Sequence, residues 1–323
     1  MKHFAKPRIV VSRCIEFEPV RHDGTMIKSD IVVALKPYAE FITVCPEVEL
    51  GLSVPRDPLR IVKNKEGLHI LQPKTGLDFT NQMRRWAKTF LDALPLVDGF
   101  IMKAKSPSSG LFDTNVYPSI QKSMPIAKGP GLFGAMVLAR FSDLAVEDER
   151  RLLNPRIRDH FLKKLFTLAS FRELTRSGSI ESLVPFQAEN KLLLTAYSQK
   201  ELRILGRLVA NRKGIPQDQL FHEYFVHLLA AFKRPPRPGS NINIALKSFG
   251  YFSKKLDPAE KTCFLETLNQ YRTGLITFSG LTALLKAWFV RFKEEYLLSQ
   301  TFYSPYPDKL VDLETSSTGH NLS

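Results

Sequence analysis

Cys14 directly follows the β-branched run RIVVSR (8–13), and Cys45 directly follows FITV (41–44). Glu47 lies two residues beyond the second cysteine, and the stretch KAKSPSSG, from Lys103 to Gly110, follows a third apolar run through Phe100–Met102. Thiolates are soft metal ligands and redox partners, and a carboxylate is a general base. Brought together at neighbouring strand ends, such groups suit metal ligation or a redox pair. The same cysteines equally suit simple burial, since free cysteine packs as a small hydrophobe. The closely paired C-x-x-C spacing that advertises zinc is absent. Cys263 falls within the helical spacing of Glu260–Tyr271 and reads as core. The seven histidines cluster nowhere, and no Gly-rich phosphate loop or Ser-His-Asp order is visible.

These residues need strands to carry them. The runs before Cys14, Cys45 and Ser106 read as strands whose carboxyl ends form one edge, where open α/β sheets place their sites. Ile61–Leu71 reads as a hairpin around Lys65, Glu66 and Gly67, and Phe79–Leu94 as an amphipathic helix with Arg84, Arg85 and Lys88 on its polar side. A passage rich in Pro and Gly (Pro118, Pro125, Gly129, Pro130, Gly131, Gly134) follows, and helical spacing then continues to Tyr303. Phe221, Phe225, Leu228, Leu229 and Phe232 form one helical stripe, and similar patterns occupy 156–176, 186–197, 199–212, 241–256, 258–273 and 279–292. The expectation is an α/β N-terminal domain, mostly parallel sheet with flanking helices, over 1–130. An all-α C-terminal domain then spans 131–308, and a polar, flexible tail 309–323.

A chain of 323 residues with 44% apolar and 24% charged residues is an ordinary globular composition, which excludes disorder, collagen and coiled coil. Three scattered cysteines make no disulfide framework, no signal-peptide core follows Met1, and no run is long enough to span a membrane. The expectation is a cytoplasmic protein with no membrane role and no obligate protein partner. The net charge of +14 is uneven, with 21 basic against 17 acidic residues over 1–150 and 25 against 15 over 151–323. The second half therefore carries the candidate polyanion surface. It includes Lys191, Arg203, Arg207, Arg212, Lys213, Lys233, Arg234, Arg237, Lys254 and Lys255, with Tyr251, Tyr271, Phe302 and Tyr303 as aromatic side chains for stacking on unpaired bases, although aromatic residues at helical spacing more often belong to a core.

The three loops resemble the signatures of the thiouracil desulfidase family. There a strand-end Cys is followed by a V-R-aromatic-Asp/Asn-Gly segment, here VRHDG ending at Gly24. A C-P-E-V-x-x-G-L-x-x-P-R segment follows, here CPEVELGLSVPR over 45–56, and then K-x-x-S-P-S-C-G, here KAKSPSSG. The second half resembles the YbgA-like helical domain fused to such domains, through KLLLTAYSQKELRILGRLVA (191–210), GYF (250–252), Tyr271–Gly274 and QTFYSPYP (300–307). The resemblance implies a 4Fe-4S cluster held by three cysteines and a reaction replacing the sulfur of a thiolated pyrimidine by oxygen. It further implies 4-thiouridine in tRNA or free thiouracil as the substrate, with the helical domain as a candidate holder of the RNA. Carried over, Cys14 and Cys45 are cluster ligands, Glu47 is the base that activates water, and Ser106 stands beside the substrate. Arg21, Asp23, Arg56 and Lys103 shape the pocket, and Lys191, Arg203, Arg207, Lys233, Arg234 and Arg237 touch RNA. The alternative for Glu47 and Arg56 is a loop-fixing ion pair.

Ser109 stands where the family has its third cysteine. A serine hydroxyl is a hard, very weakly acidic donor and a poor substitute for thiolate. Three outcomes follow: a labile cluster with Ser109 as alkoxide ligand, a desulfidase that has lost its reaction, or a non-catalytic tRNA-binding relative.

Overall fold

The computed structural model describes residues 3–311. The chain divides into two compact units, one running through Ser170 and the other from Phe171 to Val311.

The first unit holds eight strands: β1 (Arg8–Ser12), β2 (Glu40–Val44), β3 (Arg60–Asn64), β4 (Gly67–Leu71), β5 (Gly99–Met102), β6 (Thr114–Tyr117), β7 (Ala127–Gly129) and β8 (Ala145–Asp148). Four of them form a parallel sheet in the order β2-β1-β5-β8. The chain leaves β1 toward β2 on one side and later returns as β5 on the other, so a crevice opens at the carboxyl ends of β1 and β5. The other four strands form a mixed sheet, β4-β3-β6-β7, built on the expected hairpin with Asn64 opposite Gly67. Helices α1 (Asp30–Leu35), α2 (Pro46–Glu49), α3 (Thr80–Ala93) and α4 (Leu132–Phe141) connect these strands. The stripe Met83, Ala87 and Leu91 of α3 enters a core with Val10, Phe100, Met102 and Phe133, while Arg84, Arg85 and Lys88 face solvent. Burying each of the large apolar side chains contributes about 1.5–3 kcal/mol.

Two expectations about boundaries are corrected. Ala145–Asp148 pairs along Gly99–Met102, so the α/β unit does not end at residue 130. The Pro/Gly passage lies inside it, and the divide falls at Ser170/Phe171 within α5 (Pro155–Ser177). The flexible tail does not begin at 309 either: Asp308–Leu310 is a 3-10 turn and Leu310 is buried. Residues 312–323 lie outside the described residues.

The second unit is helical as expected: α6 (Leu183–Glu189), α7 (Lys191–Tyr197), α8 (Gln199–Ala210), α9 (Gln217–Ala231), α10 (Pro238–Gly250), α11 (Pro258–Thr273), α12 (Phe278–Arg291) and α13 (Glu295–Ser299). The stripe read over 186–197 is two helices, broken at Asn190, whose side-chain amide donates to the Phe186 carbonyl at 2.8 Å. The start of α11 is fixed by reciprocal bonds between Asp257 and Glu260, and its end by Gly274 at φ +79. Leu220, Phe221, Tyr224, Leu228 and Phe232 of the α9 segment are buried. Cys263, expected in the core, is exposed, because Phe264 takes the inward position of that turn. No helix among the described residues is long and apolar enough to cross a membrane.

Candidate active site

The loops after β1, β2 and β5 meet around a cavity of about 350 Å³ at the carboxyl edge of the parallel sheet. Cys14, Arg21, Cys45, Glu47, Arg56, Lys103, Ser106 and Ser109 all line it, so eight of the site residues read from separate motifs share one wall system. The ninth, Asp23, does not. It is exposed and turns back on its own loop, accepting from the Thr25 hydroxyl at 2.7 Å and pairing with Arg21 at 3.3 Å. Those bonds hold its carboxyl below the usual range, the Thr25 hydroxyl first among them. Its contacts stay within the loop that presents Arg21, and it is not among the residues that line the cavity.

The second loop is ordered by a short helix. Cys45 is the residue before α2 and Pro46 takes the first helical position, which suits its fixed φ and missing N–H. Glu47 is thereby turned inward and nearly buried. Its Oε1 accepts the Ser108 hydroxyl at 2.7 Å, and its Oε2 lies 3.5 Å from the Cys45 thiol and 3.8 Å from the Arg56 guanidinium. The anticipated contact of Glu47 with Arg56 is therefore present at the limit of an ion pair. The backbone N–H of Arg56 also donates to the His22 carbonyl at 2.7 Å, which joins the first loop to the second.

The third loop is locked against α4. The carbonyls of Pro107, Ser108 and Gly110 accept N–H groups from Leu132, Gly134 and Gly131, so the loop satisfies donors that a helix N-terminus leaves free. A Cβ on Gly131 would sit 2.4 Å from the Ser108 carbonyl oxygen, and one on Gly134 would sit 2.0 Å from that of Gly110. Gly131 and Gly134 of the Pro/Gly passage are required by this close approach. Within the loop, Ser106 Oγ and Ser108 Oγ lie 3.0 Å apart, and the Ser109 N–H donates to Ser106 Oγ at 3.1 Å.

Two residues that the motifs did not single out complete the site. Ser108 is fully buried on Glu47. Glu149, at the end of β8, binds Lys103 Nζ at 2.9 Å and accepts the Ala104 N–H at 2.7 Å. Burial, with Cys45 and Glu47 adding to it, pushes the Cys14 thiol up to about 12, and burial followed by Glu47 pushes Cys45 up to about 11. Both are thiols at neutral pH unless a cation compensates their charge.

The donor set does not match a three-thiolate iron–sulfur site. Cys14 and Cys45 supply two soft ligands, and the third position is the Ser109 hydroxyl, which is buried 3.3 Å from Ser108 Oγ. Among the described residues, no three His, Cys, Asp or Glu side chains are grouped to hold a metal ion. Cys263 belongs to the other unit.

In the helical unit, Lys191, Arg203, Arg207, Lys233, Arg234 and Arg237 are exposed, and no acidic side chain among the described residues pairs with them. Arg203 and Arg207 lie one turn apart on α8. Arg212 instead pairs with Glu181, and Lys255 with Glu294. Of these four aromatic residues, Phe302 and Tyr303 are core, Tyr271 bonds Asn241, and Tyr251 is exposed at 54% with its ring stacked on Tyr296.

Residues 9–149 match the family model for 2-thiouracil desulfurase, and residues 191–307 match a family described as a protein of unknown function, DUF1722. The uncharacterized protein YbgA of Escherichia coli (strain K12) is 23% identical over 163 residues, covering 50% of this chain and 96% of its own. A solved 4Fe-4S-dependent thiouracil desulfidase, TudS, is 28% identical, with a TM-score of 0.37, covering 46% of this chain and 94% of its own.

Proposed function

We propose, for a chain that joins a thiouracil-desulfidase-type domain to a YbgA-like domain, that the sheet-edge cavity takes a thiolated pyrimidine. In this reading it is arranged to exchange thiocarbonyl sulfur for oxygen from water. The observation that carries the reading is the placement of Glu47. A nearly buried carboxylate, hydrogen-bonded to Ser108 and facing Arg56, stands on the wall of a cavity large enough for one base. Glu47 takes a proton from water as its oxygen adds to the thiocarbonyl carbon, and the carbon–sulfur bond then breaks to release hydrogen sulfide. One water enters, one sulfide leaves, and no net oxidation occurs. The Ser106 hydroxyl holds a polar atom of the base, and Lys103, Arg21 and Arg56 make the cavity favourable for the negative charge that gathers on sulfur.

The helical unit supplies the RNA contact in this reading, with 4-thiouridine in tRNA as the larger substrate. Its support is the group of exposed cations that no acidic side chain among the described residues pairs with. A second reading, binding without turnover, is favoured by Ser109, because the cavity offers two thiols and a hydroxyl where a 4Fe-4S cluster is held by thiolates.

The test measures binding of 4-thiouracil and of 4-thiouridine-containing tRNA, together with sulfide release, for the native chain and for Glu47→Gln. Binding in both, with any sulfide release confined to the native chain, is the expected result. Failure of both ligands to bind overturns the reading.

A further inference from the structure

We infer that the pocket of this chain does not retain a 4Fe-4S cluster, and that one atom, the oxygen of Ser109 in place of sulfur, is the reason. The inference rests on the reading of the pocket as desulfidase-type. Cys14, Cys45 and Ser109 line a single cavity from three different loops, so the framework for three ligands is present although the third soft donor is not. The backbone under Ser109 is held independently of its hydroxyl. Its N–H donates to Ser106 Oγ, the neighbouring carbonyls of Ser108 and Gly110 are bound to the first turn of α4, and Gly110 N–H closes on the Ser106 carbonyl at 2.9 Å. The hydroxyl itself has a single long hydrogen-bond contact, 3.3 Å to Ser108 Oγ, and the residue is 3% exposed. Ser108 has the shorter bond to Glu47 and does not depend on Ser109. A thiol at this position therefore enters the same cavity on the same backbone, with little else disturbed.

Ligand chemistry sets the consequence. Iron in such clusters is held by thiolates, and an alcohol loses its proton far less readily than a thiol. Two thiolates leave two of the cluster's corners without a protein ligand, whereas three leave one open.

The test is anaerobic reconstitution with ferrous iron and sulfide, followed by desalting and by measurement of iron, acid-labile sulfide and visible absorbance per chain. It compares the native chain with Ser109→Cys, Ser109→Ala and the double variant Cys14→Ser/Ser109→Cys. Ser109→Cys is expected to retain about four iron atoms per chain. The native chain and Ser109→Ala retain several-fold less and equal one another, and Cys14→Ser removes what Ser109→Cys gained. Full retention by the native chain overturns the inference, as does a folded Ser109→Cys that gains no iron. Should Ser109→Cys fail to fold by circular dichroism, the alanine variant still decides: lower iron retention than in the native chain makes the serine oxygen a ligand and overturns the inference. Because iron content is read without substrate, this result is separate from whether a thiolated pyrimidine binds.

Discussion

Ser108 donates its hydroxyl to Glu47 at 2.7 Å across 61 residues of sequence, both side chains lying inside the site. This bond ties the β5 loop to the β2 loop and fixes which carboxylate oxygen remains available to the cavity. Removing it in Ser108→Ala leaves a nearly buried carboxylate one donor short, at a cost of about 1–3 kcal/mol. An unfolding free energy in urea lowered by that amount, seen as a lower midpoint, together with weaker thiopyrimidine binding, is the expected outcome. An unchanged midpoint would mean that water replaces the hydroxyl.

Glu149 is 6% exposed, and its side chain compensates Lys103 while also capping the Ala104 N–H. Glu149→Gln strands the Lys103 ammonium in a partly buried place and is expected to cost about 3 kcal/mol. Lys103→Met in the same background recovers part of the loss if the pair is coupled, and a double-mutant cycle in urea measures that coupling.

At Gly134, a methyl group would meet the Gly110 carbonyl oxygen at 2.0 Å, so Gly134→Ala must separate α4 from the SPSSG loop. A loss of more than about 2 kcal/mol is expected despite alanine's better helix propensity. A thermal melt distinguishes this from the small gain that propensity alone predicts.

His160 on α5 is pushed down to about 4 from 6.5 by burial, with Lys164 adding to the shift. The folded state thus binds its proton later than the unfolded chain does, so stability is fully present above about pH 6.5 and falls as the pH drops toward 4. The loss reaches about 3 kcal/mol. His160→Gln is expected to flatten the urea midpoint between pH 6.5 and 4, and a profile as steep as that of the native chain would assign the acid sensitivity elsewhere.

Arg203 and Arg207 share the exposed face of α8. If both meet phosphates, Arg203→Gln/Arg207→Gln weakens tRNA binding and lowers the slope of log affinity against log salt by about 2. Equal slopes for the native chain and the variant would remove α8 from the RNA surface.

The strand-end loops and most helices were legible because each carried a local signal: β-branched runs before Cys14 and Cys45, 3.6-residue spacing in α8 and α9, and capping residues around α11. The short strands β6, β7 and β8 were not. Ala127–Gly129 has no β-branched residue, and Ala145–Asp148 becomes a strand only by pairing with β5. Missing β8 moved the domain boundary and hid Glu149, whose partner Lys103 is 46 residues away. Ser108 was concealed differently, as one of three serines in a single motif, where only geometry separates the one that reaches Glu47. Cys263 shows the limit of helical spacing, since one step around the helix exchanges a buried Phe264 for an exposed thiol.

The most direct test of the account is calorimetric titration of the native chain with 4-thiouracil and with uracil, repeated for Arg56→Ala. Tighter binding of the thiolated base by tenfold or more, weakened at least tenfold in Arg56→Ala, is the predicted result. Equal affinity for the two bases, or binding indifferent to Arg56, would contradict the assignment of this cavity to a thiolated pyrimidine.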